Sequence, residues 1–253
     1  MKLKCLSMIA ILFVSVMASA KTYEYAQGEQ KFAGDFLPAQ KAKAPAILVI
    51  HNWMGVTTET LKQAERFHKL GYNVFVADIY GKGVRPTSVK EAGELATKYK
   101  TDRKLFRERI ELAYKEMLKQ KSVDTTKTAI LGYCFGGTGA LEAARSNSQI
   151  KGAISFHGGL DSLNPQEGAN IKAQVLALHG ADDPYVAEKD LNAFEKEMRD
   201  HKVQFELIKF GNAVHSFTEQ AAGNDNSKGA AYNQLADIKS FAYSKHFLET
   251  VFK

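Results

Sequence analysis

Short apolar runs alternate along this chain with longer stretches of helical spacing, and that alternation constrains the fold more than any other feature. Residues 46–50, AILVI, form one run; 73–77, 127–131, 152–156, 174–178 and 203–210 continue the series. Runs this short, apolar throughout and bounded by Gly and Pro, read as strands buried on both faces of a sheet. The stretches 58–70, 89–121, 139–145, 188–199 and 231–251 carry helical spacing between them. Strand and helix in this order predict an α/β class fold, a mostly parallel central sheet flanked by helices on both faces. Ahead of the series, residues 23–38 alternate apolar and polar around Gly28 and Gly34, as an antiparallel hairpin does. The polar stretch 221–229 reads as a surface loop. No repeat or low-complexity tract divides the series, so 21–253 read as a single domain.

The first twenty residues stand apart. Lys2 and Lys4 precede an apolar run over 8–17, and Ala18-Ser19-Ala20 supplies a small-x-small cleavage pattern, as in a secretory signal peptide. The run is short for a bilayer span, which takes about 20 residues. Cys5 lies ahead of that run and not behind it, where a lipidated cysteine would sit. Cleavage near Ala20 and a secreted, periplasmic protein without a stable membrane anchor are therefore expected, as a monomer or small homo-oligomer. The formal charge of +6 falls to +4 without Lys2 and Lys4, and it is spread along the chain. No basic block suited to tracking phosphates is present, which argues against a nucleic-acid partner. Of the two cysteines only Cys134 survives cleavage, which excludes an internal disulfide and leaves a thiol that is either buried or chemically used.

Cys134 lies in Gly132-Tyr133-Cys134-Phe135-Gly136-Gly137, directly after the run 127–131 and at the start of a helical stretch. A Gly-x-nucleophile-x-Gly turn between strand and helix holds its nucleophile on a strained backbone, with glycines where a Cβ would clash. It also places the nucleophile at a helix N-terminus, whose dipole and free N–H groups favour a thiolate. Two later strand ends supply candidate partners. The run ending at Leu178 leads into His179-Gly180-Ala181-Asp182-Asp183-Pro184, and the run ending at Phe210 leads into Gly211-Asn212-Ala213-Val214-His215-Ser216-Phe217. Nucleophile, acid and histidine thus follow the chain order of an α/β-hydrolase, each after the C-terminal end of a strand. Taken singly, a cysteine there is usually a small core residue and an Asp-Pro usually a turn. Taken together they point to acyl transfer.

On these residues the chain resembles the dienelactone hydrolase family of the α/β-hydrolase superfamily. The resemblance rests on 132–137, 180–186 and 211–217, and on 51–55 and 77–80, so it covers essentially the whole chain after the leader. It implies that Cys134, His215 and Asp183, the acid before Pro184, form a catalytic triad acting on a small ester or lactone through a thioester. It further implies an oxyanion hole made by the backbone N–H groups of Phe135 and Trp53. It requires no metal or organic cofactor, and the histidines are not spaced as a ligand cluster. Asn52, Tyr80, Lys82, Tyr133 and Phe217 are the candidate pocket residues. Two positions depart from the family pattern: Asn52 stands where many members carry Glu, and Glu219 stands where a substrate-binding arginine is expected. Lys82 can serve as a point charge for a substrate carboxylate, with Arg85 as a possible replacement cation, whereas Glu219 would repel that carboxylate. The departures also motivate an alternative, a low-activity ligand-binding or sensing protein on a hydrolase scaffold. A thiol-redox role would lack a second cysteine to resolve a sulfenic acid.

Overall fold

The computed structural model describes residues 20–146 and 149–253; the leader expected over 1–20 lies, but for Ala20, outside the described residues. The chain opens on the antiparallel hairpin β1 (Lys21–Gln27) and β2 (Gln30–Leu37), turned at Gly28 with φ +59°. Then come β3 (Ala44–Ile50), α1 (Thr58–His68), β4 (Asn73–Ala77), α2 (Val89–Thr101), α3 (Arg103–Leu118), β5 (Val123–Tyr133) and α4 (Phe135–Ser146). β6 (Gly152–Phe156), β7 (Gln174–Gly180), α5 (Glu188–Asp200), β8 (Phe205–Phe210) and α6 (Gln234–Val251) complete it. All eight strands join one open sheet in the order β1-β2-β4-β3-β5-β6-β7-β8. It is parallel from β4 onward, and β2 meets β4 antiparallel.

Strand alternation sorts the core into two layers. Ala46, Leu48 and Ile50 of β3 face a cluster with Phe106, Ile110 and Tyr114 of α3, Leu141 of α4 and Phe194 of α5. Ile47 and Val49 face the other way, toward Phe67 of α1 and Phe247 and Leu248 of α6. Burying each such side chain contributes about 1.5–3 kcal/mol. The central strands are therefore apolar on both faces, while β8, at the sheet edge, is only half-buried.

The helical stretch 89–121 is two helices, not one. Asp102 breaks it, and its carboxylate caps α3 by accepting the Leu105 N–H at 2.9 Å. The loop expected over 221–229 carries a short 3-10 turn at Asn226–Lys228, and another, Gln220–Ala222, begins one residue ahead of it. No helix among the described residues is long and apolar enough to cross a membrane.

Candidate active site

β5 ends at Tyr133 and α4 begins at Phe135, so Cys134 alone makes the turn, with φ +55°. A non-glycine residue held there stores strain that its surroundings must offset. The Cys134 N–H donates to Phe156 O at 3.0 Å, and the Gly137 N–H donates to Cys134 O at 2.9 Å. A Cβ on Gly132 would collide with the backbone of Gly136, and one on Gly136 would collide with the carbonyls of Ile50 and His51. The glycines thus let α4 start hard against the end of β3.

His215 and Asp183 reach Cys134 from the loops after β8 and β7. The Asp182 N–H donates to Ala213 O at 3.0 Å and the Ala181 N–H to Phe210 O at 2.9 Å, which laces the two loops together. Asp182 is exposed, whereas Asp183 is buried. One Asp183 oxygen accepts the Tyr185 N–H at 2.8 Å, and the other lies 2.8 Å from His215 Nδ1. His215 Nε2 lies 3.0 Å from Cys134 Sγ. Burial opposes a charge on His215, but negative charge on Cys134 and the bond to Asp183 outweigh it and raise the pKa to about 10. The arrangement favours a proton on His215.

The other wall is the loop after β3. His51, wholly buried, accepts the Ile79 N–H at Nε2 (3.2 Å), so Nδ1 carries the proton that binds Asn52 O at 2.6 Å. Burial drives its pKa down to about 4, which keeps it neutral. Its ring lies 5.8 Å from that of Phe135, and Tyr80 Oη donates to Trp53 O at 3.0 Å. The Trp53 and Phe135 segments are thereby held side by side.

Of the remaining sequence candidates, Asn52 and Tyr80 are at the site and three others are placed elsewhere. Asn52 Oδ1 accepts the Met54 N–H at 2.9 Å, and its Nδ2 donates to Glu219 Oε1 at 3.1 Å. Lys82 turns away to pair with Glu24 of β1 at 2.5 Å. Tyr133, by strand parity, points into the α1/α6 layer and stacks on Phe156 at 4.5 Å. Phe217 is fully buried against Phe210 and His157, behind His215. Arg85 is bonded to the carbonyls of Val56 and Val84 and lies 3.6 Å from Asp78.

His157 was not singled out from sequence. It follows β6 at φ +38°, is fully buried, and sets its ring edge-on to His215 with centroids 5.2 Å apart. Its Nε2 lies 2.8 Å from Thr218 Oγ1, while Nδ1 has no partner among the described residues. Burial, and then the His215 charge, hold its pKa well below the usual histidine value. Only its place in His157-Gly158-Gly159, at another strand end, could have drawn notice. No group of three or more His, Cys, Asp and Glu among the described residues is arranged to hold a metal ion. A surface groove of about 920 Å³ beside α1, lined by Leu37, Leu61 and Tyr72, contains none of these residues.

The dienelactone hydrolase family model matches residues 33–252. A Bradyrhizobium protein named "Probable 2-oxo-3-(5-oxofuran-2-ylidene)propanoate lactonase" is 29% identical over 76% of this chain and 81% of its own. The crystal structure of a dienelactone hydrolase-like promiscuous phosphotriesterase from metagenomic libraries superimposes with a TM-score of 0.88. It is 30% identical and covers 93% of this chain and 99% of its own. A dienelactone hydrolase from Anabaena variabilis, 17% identical, shares the fold with a TM-score of 0.69 over 94% of this chain and all of its own.

Proposed function

This chain belongs to the dienelactone hydrolase family, and from that premise we propose that it cleaves small carboxylic esters or lactones with Cys134 as nucleophile. The observation that carries the proposal is the unbroken chain from Asp183 through His215 to Cys134, at 2.8 and 3.0 Å. The Cys134 sulfur attacks the carbonyl carbon after its proton has passed to His215. Asp183 holds the ring with Nδ1–H toward itself and balances the imidazolium. The carbonyl oxygen becomes an oxyanion, met by the backbone N–H groups of Phe135 and Trp53. The tetrahedral adduct collapses to a thioester as Nε2–H protonates the departing alkoxide. Water then attacks the thioester, giving one proton to His215; the C–S bond breaks, the sulfur takes that proton back from His215, and the acid leaves, releasing its own proton to solvent. The ester or lactone chemistry, and not the propanoate in the Bradyrhizobium relative's name, is what we carry over.

The test is hydrolysis of 4-nitrophenyl acetate by the protein before and after alkylation with iodoacetamide, with Cys134→Ala beside it. The expected result is a rate lost on alkylation and lowered at least about 10³-fold in the variant, the scale of removing a nucleophile. A folded protein whose Cys134 alkylates readily yet turns over neither this ester nor a panel of lactones would replace hydrolysis with the ligand-binding reading.

A further inference from the structure

We propose that this site selects uncharged substrates and rejects carboxylates, and that Glu219 sets the selection. The inference rests on the reading of Cys134 as the reacting atom. Glu219 follows His215 by one turn, its N–H donating to Ser216 O at 2.8 Å. The Asn52 amide holds its carboxyl at 3.1 Å, immediately before Trp53 on the wall facing Cys134. Burial, with Glu59, holds the pKa of that carboxyl above the usual glutamate range, while the Asn52 amide and His215 act to keep it ionised; no lysine or arginine is among these groups.

The neighbouring cations are engaged elsewhere. Lys82 is paired with Glu24, Arg85 with two carbonyls and Asp78, and Arg66 with Asp237 at 2.7 Å and with Gln63. His215 is engaged by Asp183 on one side and by Cys134 on the other. An anionic substrate entering here would meet the Glu219 carboxyl, with Lys82, Arg85 and Arg66 held by their own partners, and like-charge juxtaposition is an effective way to exclude a partner. An uncharged acyl or alkoxy group loses nothing by the same approach.

Iodoacetamide and iodoacetate test this directly. They are nearly the same size, react at the same carbon with loss of iodide, and differ by one negative charge. Alkylation of Cys134 followed by mass spectrometry needs no turnover. In the native protein iodoacetamide should outpace iodoacetate by at least about tenfold more than it does with free glutathione, the scale of one like charge at intermediate dielectric. In Glu219→Gln, which retains an oxygen for Asn52, that excess should fall to within about threefold. A native ratio equal to that of glutathione, or an excess unchanged in Glu219→Gln, overturns the proposal.

A second comparison needs no variant: mono-(4-nitrophenyl) succinate against 4-nitrophenyl butyrate on the native protein. The anionic ester should show a kcat/KM at least about tenfold lower; equal values also overturn the proposal. If neither ester is cleaved while the alkylation bias persists, the hydrolase reading fails and the charge selection stands.

Discussion

Two clusters of buried charge share helix α4, one at each end. At its start lie Cys134, His215 and Asp183. At its far end Arg145, fully buried, makes a two-pronged contact with Glu197 of α5 at 2.8 and 2.7 Å and a third bond to Glu142 at 2.9 Å. Arg107 of α3 donates to the other oxygen of Glu142 at 2.7 Å and also bonds Glu167, while Arg103 bonds Asp161 at 2.6 Å. In this second cluster Arg145 and Arg107 are bonded to the carboxylates of Glu197, Glu142 and Glu167, Arg103 keeps Nε and Nη1 without a hydrogen-bond partner among the described residues, and the bonds tie α3, α4, α5 and the 165–170 turn together. At the first cluster the backbone is strained at Cys134 and His157, and among the described residues one His157 nitrogen is unpartnered and the sulfur has one hydrogen-bond partner, His215. Charge paired with charge across helices holds them in register, while the elbow keeps a thiol on a strained turn beside one histidine. The same helix serves both, so the elbow is anchored by the network two to three turns downstream.

The sharpest break between the clusters should come from Asp183→Asn. It preserves shape but offers Nδ1 the wrong tautomer partner, and kcat should fall about 10³–10⁴-fold while the melting temperature moves little. A loss under tenfold would remove Asp183 from the mechanism. Arg145→Ala should do the reverse. Removing one partner of a buried ion pair strands Glu197, while Glu142 keeps Arg107, at a cost of about 3–5 kcal/mol in denaturant unfolding. The variant that remains folded should keep its kcat within a few-fold. Equal stability with lost activity would show that the network serves chemistry and not anchorage.

How far the sequence could be read follows from the range of each interaction. Strand periodicity and the Gly-x-Cys-x-Gly-Gly turn are local, so the sheet, the elbow and the strand-end positions of Asp183 and His215 were all legible in short windows. The break at Asp102 was missed because helical spacing continues across it and only a capping side chain marks the boundary. Tyr133 looked like a pocket residue because it adjoins Cys134, yet a period of two sends neighbours to opposite faces. Lys82 looked free because its partner Glu24 is 58 residues away. The same distance problem hid the Asn52–Glu219 bond, spanning 167 residues, and the ion network, whose members read singly as charged helix faces.

The smallest effect separates the clusters by pH. His215 in the folded protein has its pKa raised to about 10, against about 6.5 for an unperturbed histidine. The folded state therefore keeps a proton that the unfolded chain has released. The stability His215 contributes is fully present below about pH 6.5 and is lost as pH rises through about 10, with a slope of at most about 1.4 kcal/mol per pH unit. Arg107 and Arg145 behave differently. Burial works against their charge, but the carboxylates around them outweigh it and raise their pKa further, so they stay charged throughout this window. Melting curves of the native protein and of His215→Gln between pH 6 and pH 11 isolate the difference: it should shrink steadily across the window. The same comparison between the native protein and Arg145→Ala should stay level. A native-minus-His215→Gln difference that is flat from pH 6.5 to 10 would mean that His215 carries no extra proton in the folded state, and the ionic picture of the elbow would fall with it.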